Sequence, residues 1–263
     1  MNRYTIVRGD APVVIDIPHA GTFVPEPIAA RLTPYARTVP DTDWHVEQLY
    51  RFACELDVTT MVATHSRYVV DLNRDPAGIA LYPGADNTEL CPTRTFSNQP
   101  IYLTGEEPDG GEIAERRALH FDSYHRVLAA EIERLRERHG QVILVDGHSI
   151  VSRAPRFFSG RLPDLNLGTG DGISAAPEVE RIATAVLAGA AGFTHVVNGR
   201  FKGGYVTRHY GQPARGVHAL QLEMAQSCYM DEAPPYSHDA ARAAALIGVL
   251  RQLIQALLAW RHH

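Results

Sequence analysis

Cysteine is scarce in this 263-residue chain. The three present, Cys54, Cys91 and Cys228, are odd in number and form no CxxC pair. That pattern argues against a disulfide framework and reads as reduced thiols in a cytosolic protein. A basic excess is also missing. Lys and Arg total 25 against 30 acidic residues, a net charge of −5, and the cations are scattered, so there is no basic footprint for nucleic acid. The N-terminal MNRYTIVRGDAPVVIDIP has no apolar run behind a basic start, so no signal peptide is expected. The most apolar stretch, AAALIGVLRQLIQALLAW, is interrupted by Arg251, Gln252 and Gln255. A bilayer span needs about 20 mostly apolar residues, so a packed amphipathic helix is expected, with no membrane partner and a cytoplasmic location. GxSxG, HExxH and GxxxxGK[ST] are absent, and with them the serine elbow, the metalloprotease helix and the phosphate loop. No fixed-period repeat or low-complexity segment occurs.

What is present is ordinary in bulk, with 45% hydrophobic and 21% charged residues. The length suits one large domain, taken here as 1–263. Residues 12–17, 58–64, 68–72, 141–145, 195–197 and 218–224 read as strands from their apolar and β-branched runs. Residues 44–56, 112–139, 177–191 and 239–260 read as helices, with Gly140 stopping the second. The stretches 75–108, 149–174 and 199–216 read as loops. Strands alternating with helices predict an α/β fold with helices on both faces of a sheet. Ligands in such folds bind at the carboxyl ends of the strands.

The polar residues that stand out fall there. Glu223 is the most informative, because a lone carboxylate inside HALQLEM is costly to bury unless it is paired or beside a metal. His19 follows PVVIDI, and His148 follows QVILV. Two histidines at strand ends plus one carboxylate make a three-ligand zinc site that leaves a position open for water. The carboxylate is Asp43 or, second, Asp41, since both sit in PDTDWH and only one can cap the helix that follows. Asp16 and Asp146 are then the residues expected to orient the histidines. Asn73 and Arg74 end a strand, where an arginine can grip a carboxylate with two hydrogen bonds or pair internally with Asp71 or Asp75. Arg67 and Arg208 are further substrate-binding candidates, which together would suit a dianionic substrate. Glu223 is the candidate general base, taking a proton from the attacking water and passing it to the leaving nitrogen.

The stretches IDIPHAG, DTDWHVEQLY, SRYVVDLNRDP, VDGHS, LPDLNLGTGDG, NGRFKGGYVTRHYGQP and HALQLEMAQSCYMDE resemble the N-formylglutamate amidohydrolases (deformylases) of histidine degradation. That family is similar in fold to zinc carboxypeptidases and aspartoacylase. The resemblance implies a three-layer α/β/α sandwich with a mixed central sheet, of the zinc-exopeptidase (phosphorylase/hydrolase-like) type. It implies, in chain order, a ligand histidine (His19), a ligand carboxylate (Asp43), an Asn-Arg pair for a substrate carboxylate (Asn73, Arg74), a second ligand histidine (His148) and a catalytic glutamate (Glu223). In the wider fold group the carboxylate ligand comes three residues after the first histidine, where this chain has Thr22. The reaction implied is metal-dependent hydrolysis of N-formyl-L-glutamate to glutamate and formate. The cofactor expected is one divalent cation, zinc first, with cobalt, manganese or iron as alternatives. Another N-acyl amino acid as substrate, or a carboxylate-binding protein without catalysis, are the competing readings. The partner expected is a small dicarboxylate, and self-association is left open.

Overall fold

Among the residues described by the computed structural model (2–260, without 82, 83 and 85), seven strands form one mixed sheet. They are β1 (Tyr4–Val7), β2 (Val13–Ile17), β3 (Thr59–Ala63), β4 (Val142–Ile150), β5 (Leu165–Gly168), β6 (His195–Val197) and β7 (Val217–Ala225), arranged β1-β3-β2-β4-β7-β5-β6. The central four, β3, β2, β4 and β7, run parallel. β1 is antiparallel to β3, β5 is antiparallel to β7, and β6 is parallel to β5. The helices are α1 (Glu26–Ala29), α2 (Val46–Leu49), α3 (Gly110–Arg116), α4 (Asp122–His139), α5 (Pro177–Ala188), α6 (Tyr205–Tyr210) and α7 (Ala240–Ala259).

Strand alternation sorts the core into two layers. Ile15, Val145 and Leu220 face one way, into a cluster closed by α2, α5 and α7. Val14, Leu144 and Ala219 face the other, toward Tyr124, Leu128 and Leu135 of α4 and Val206 of α6. Every residue of β2, β4 and β7 is buried, as expected for strands covered on both faces. α7 is 20 residues long with a mean hydropathy of 1.4, long and apolar enough to cross a membrane. Its Leu246, Leu250, Leu253, Ile254 and Leu257 instead form a buried stripe within the core. Each such side chain contributes roughly 1.5–3 kcal/mol on full burial.

The structure departs from the sequence reading in several elements. Tyr68–Leu72 is not a strand. Its residues are all buried, which makes the run look like one, but side chains take its carbonyls. Arg116 donates to the Tyr68 and Val69 carbonyls, and a His125 ring nitrogen lies 2.9 Å from the Leu72 carbonyl. The helix expected over 44–56 is one α turn followed by a 3-10 segment, Arg51–Leu56, with His45 in the left-handed region (φ 64°) at its start. The helix expected over 112–139 is α3 and α4 joined through a π-helical turn, Arg117–Phe121, and capped at its start by the Asp109 side chain, which accepts from the Glu112 N–H. It stops at Gly140 (φ 76°), as expected. β1 has no counterpart in the sequence reading. β5 lies inside the expected loop 149–174 and α6 inside 199–216, each too short to show a period among glycines and prolines.

Between β2 and β4 the chain reverses its direction of travel across the sheet. From β2 it moves outward to β3, then returns through α3 and α4 to β4. The segments leaving β2 and β4 therefore diverge, and a crevice opens at their carboxyl ends.

Candidate metal centre and active site

His19 lies two residues past β2, and the chain then turns tightly against residues 64 and 65. A Cβ at Gly21 would fall 2.4 Å from the His65 carbonyl oxygen, so only glycine fits. Asp43 precedes α2, and its N–H donates to the His19 carbonyl at 3.0 Å, which ties the two segments together. His148 sits near the end of β4. Gly147 beside it lets Tyr50 pack close, since a Cβ there would lie 3.0 Å from the ring.

These three side chains converge, all buried. His19 Nδ1 and His148 Nδ1 are 3.2 Å apart. Asp43 Oδ2 is 3.0 Å from His148 Nδ1 and 3.9 Å from His19 Nδ1. Two nitrogens bound tetrahedrally at about 2.0–2.1 Å would stand about 3.3 Å apart, so this donor set fits a single divalent cation. The remaining ring nitrogens are held from outside the cluster. His19 Nε2 faces Asp71 Oδ1 at 2.7 Å, and His148 Nε2 faces Asp146 Oδ1 at 2.7 Å. The His19 ring is thus held by a carboxylate, an arrangement typical of metal-ligating histidines, and His148 Nε2 sits between the Asp146 carboxylate and the Asn73 amide. Asp43 Oδ1 is taken by Arg67 at 2.5 Å, and Oδ2 accepts from the Ser149 N–H at 3.1 Å.

Asp146 takes the orienting position expected of it, but Asp16 does not. On β2, Asp16 points toward α4 and accepts from the Tyr124 hydroxyl at 2.5 Å. Asp71 partners His19 instead. Asp41 lies outside the cluster, accepting from the Tyr68 hydroxyl at 2.7 Å and the Phe96 N–H at 2.9 Å.

The charges follow from burial and neighbours. Burial, with the Arg67 charge nearby, pushes His19 down to about 4. Burial also opposes charge on Asp71, but Arg74, His19 and Arg67 outweigh it and hold the carboxyl well below the usual range. Asp16 goes the other way. Its burial and the neighbouring Asp146 raise it well above a normal aspartate.

Glu223 lines the cavity above the cluster, together with His19, His148, Arg67, Asn73 and Arg74. It is paired in register with His148 on the adjacent strand. Burial lifts its carboxyl to about 7, with His148 and Arg67 pulling against that rise. A group titrating near neutrality can both accept and return a proton.

The arginines divide. Arg67 is committed to the cluster through Asp43 and lies 3.7 Å from Asp71. Arg74 lines the cavity, with Nε donating to the Thr88 hydroxyl at 2.7 Å. Arg208 lines a neighbouring cavity, where its Nε donates to the Gly203 carbonyl at 2.8 Å. Asn73 is braced on both sides. Its amide oxygen accepts from the Val206 N–H, and its amide nitrogen lies 3.1 Å from Asp146 and 2.8 Å from His148 Nε2.

A family model for N-formylglutamate amidohydrolase matches residues 11–230. An N-formylglutamate deformylase of Pseudomonas aeruginosa is 47% identical over 96% of this chain and 95% of its own length. The chain belongs to the N-formylglutamate amidohydrolase family. A Pseudomonas putida N-formylglutamate deformylase is 45% identical over 96% of this chain and 94% of its own. The solved N-formylglutamate amidohydrolase of Ralstonia eutropha superposes with a TM-score of 0.80 at 26% identity, covering 98% and 96% of the two chains. The α/β fold with its mixed sheet is therefore that of the family.

Three residues of this amidohydrolase-family site escape the sequence reading. Asp71 figures there only as a partner for Arg74. Arg200, in the glycine-rich segment before α6, also lines the cavity, with Nε donating to the Phe157 carbonyl at 2.7 Å. Gln221, two residues before Glu223, lines it as well. Its alternation with Glu223 along one strand was the available signal.

Proposed function

We propose that this protein is a metal-dependent deformylase that hydrolyses N-formyl-L-glutamate to L-glutamate and formate. The substrate comes from the names of the Pseudomonas relatives. One observation carries the chemistry: two imidazole nitrogens and a carboxylate oxygen meet at the floor of a cavity that also holds Glu223 and Arg74.

In this reading His19, Asp43 and His148 hold the cation, zinc in preference to cobalt, manganese or iron. When bound, it supplies Lewis-acid polarisation of the formyl carbonyl and brings the pKa of the attacking water to about 7. Glu223 takes the proton as the water oxygen bonds to the formyl carbon. It then delivers that proton to the glutamate nitrogen as the C–N bond breaks and formate leaves. The Asn73–Arg74 wall receives one substrate carboxylate, and Arg200 receives the other in place of Arg208. Arg67, held by Asp43 and Asp71, offsets the negative charge of the floor. A fixed dicarboxylate brings the small formyl group to one place, and orientation of this kind can supply several kcal/mol. The three cysteines are free thiols, in keeping with a cytoplasmic enzyme.

The test is a panel of N-formyl, N-acetyl and N-carbamoyl derivatives of glutamate and aspartate, assayed with added zinc, cobalt or manganese. N-formyl-L-glutamate should give the highest kcat/KM. Hydrolysis of the acetyl compounds alone would overturn the substrate assignment, and no turnover with any metal would overturn the reaction.

A further inference from the structure

Gln221 is almost fully buried (5% exposed) and shares a strand face with Glu223. Its two amide ends have different partners. The oxygen, Oε1, accepts from the Gly204 N–H at 2.6 Å. Only the carbonyl end of an amide can accept that bond, so the orientation of the side chain is settled by chemistry. The nitrogen is thereby turned toward Glu223 and donates to Oε2 at 3.1 Å.

The donor that sets this orientation is itself fixed. A Cβ at Gly204 would lie 2.4 Å from the Asn73 amide, so this backbone lies against Asn73 as closely as glycine allows. Two residues on, the Val206 N–H donates to Asn73 Oδ1 at 2.8 Å. The preceding Gly203 has a φ of 109°, a conformation that side-chain-bearing residues rarely adopt. A connected path therefore runs from the Asn73 wall through the Gly204 backbone and the Gln221 amide to one oxygen of Glu223.

We propose that Gln221 is the positioning residue for the Glu223 carboxylate: it occupies Oε2 and so assigns proton exchange with water and leaving nitrogen to Oε1. The proposal rests on the reading of Glu223 as general base. A purely structural role, bracing the segment before α6, is the alternative. The two differ in what removing the donor changes. Bracing acts on substrate binding and stability, whereas positioning acts on the chemical step, with substrate and cation still bound.

The experiment compares Gln221→Met, similar in length but unable to donate, with Glu223→Gln and the double variant. It reads kcat, KM for N-formyl-L-glutamate, zinc content by elemental analysis and Tm. Q221M should lose about 10–100-fold in kcat, with KM and zinc content within about twofold of the parent. In the E223Q background the same change should have no further effect on residual kcat, because the carboxylate it serves is gone. Gln221→Leu, shorter and likewise without a donor, is the second variant, and should show the same kcat loss if Q221M does not fold. An unchanged kcat in the folded variant, or a loss that falls on KM or zinc content in place of kcat, overturns the positioning role while leaving Glu223 as base; a lower Tm follows from the unpaired Gly204 N–H under either role. A loss that persists in full in the double variant overturns it too. Wild-type kcat in E223Q removes the base assignment, and the proposal with it.

Discussion

Asp71 Oδ1 and His19 Nε2 lie 2.7 Å apart, both buried, on the side of the imidazole away from Asp43 and His148. The same carboxylate oxygen accepts the Asn73 N–H at 2.9 Å. One aspartate thus sets the ring of His19 and the backbone at Asn73.

Asp71→Asn should therefore weaken zinc binding by about 10–100-fold, the usual cost of removing such a partner. Competition of the variant and the parent with a chelator measures this directly. Equal affinities would return Asp71 to a role in local folding alone.

Arg200→Lys should raise KM for N-formyl-L-glutamate about tenfold, a loss of about 1.4 kcal/mol, as a two-pronged contact becomes a point charge. Arg208→Lys should leave KM within about twofold, because Arg208 lines the neighbouring cavity. Steady-state kinetics on the two variants separates them, and the opposite ranking would restore Arg208 as the second anchor.

His125 carries a pH effect on stability. Burial pushes its pKa down to about 4, and its Nε2 lies 2.9 Å from the Leu72 carbonyl. Its folded pKa lies below the unfolded value of about 6.5, so the unfolded chain binds the proton first as pH falls. The stability it contributes is whole above about 6.5 and is lost progressively toward 4. Between pH 7.5 and 5 the loss is about 2 kcal/mol. Urea unfolding at the two pH values measures it. A His125→Gln variant, which can still donate to Leu72, should show a shallower dependence by that amount.

The sequence exposed the parts of this molecule that break a local rule. His19, His148 and Glu223 stand out because polar side chains at strand ends or inside an apolar strand need a reason to be there. Asp43 is separable from Asp41 in the sequence only by preference, and the structure separates them by partners, His148 for one and Tyr68 with Phe96 for the other. Asp16 misleads because it sits close to His19 in the chain. In the fold its carboxylate is taken by the Tyr124 hydroxyl, and Asp71 reaches His19 instead. Asp71 is obscured by the strand-like pattern of Tyr68–Leu72, whose burial comes from α3, α4 and the loops rather than from a ladder. Arg200 could not be placed, because its position depends on how a glycine-rich segment crosses the end of the sheet. Gln221 is a second polar residue in the same apolar strand as Glu223, a signal that marks the position, while its orientation follows only from the Gly204 N–H that it accepts.

The outermost strands, β1 and β6, span four and three residues. A second copy approaching either margin would meet only a few open backbone positions, too short a template for intermolecular strand pairing. The long inner strands, which carry the apolar sequences most prone to such pairing, are shielded on both flanks. Strand exchange at either margin would therefore bring few backbone hydrogen bonds, and the crevice between β2 and β4 lies well inside the sheet, away from both edges.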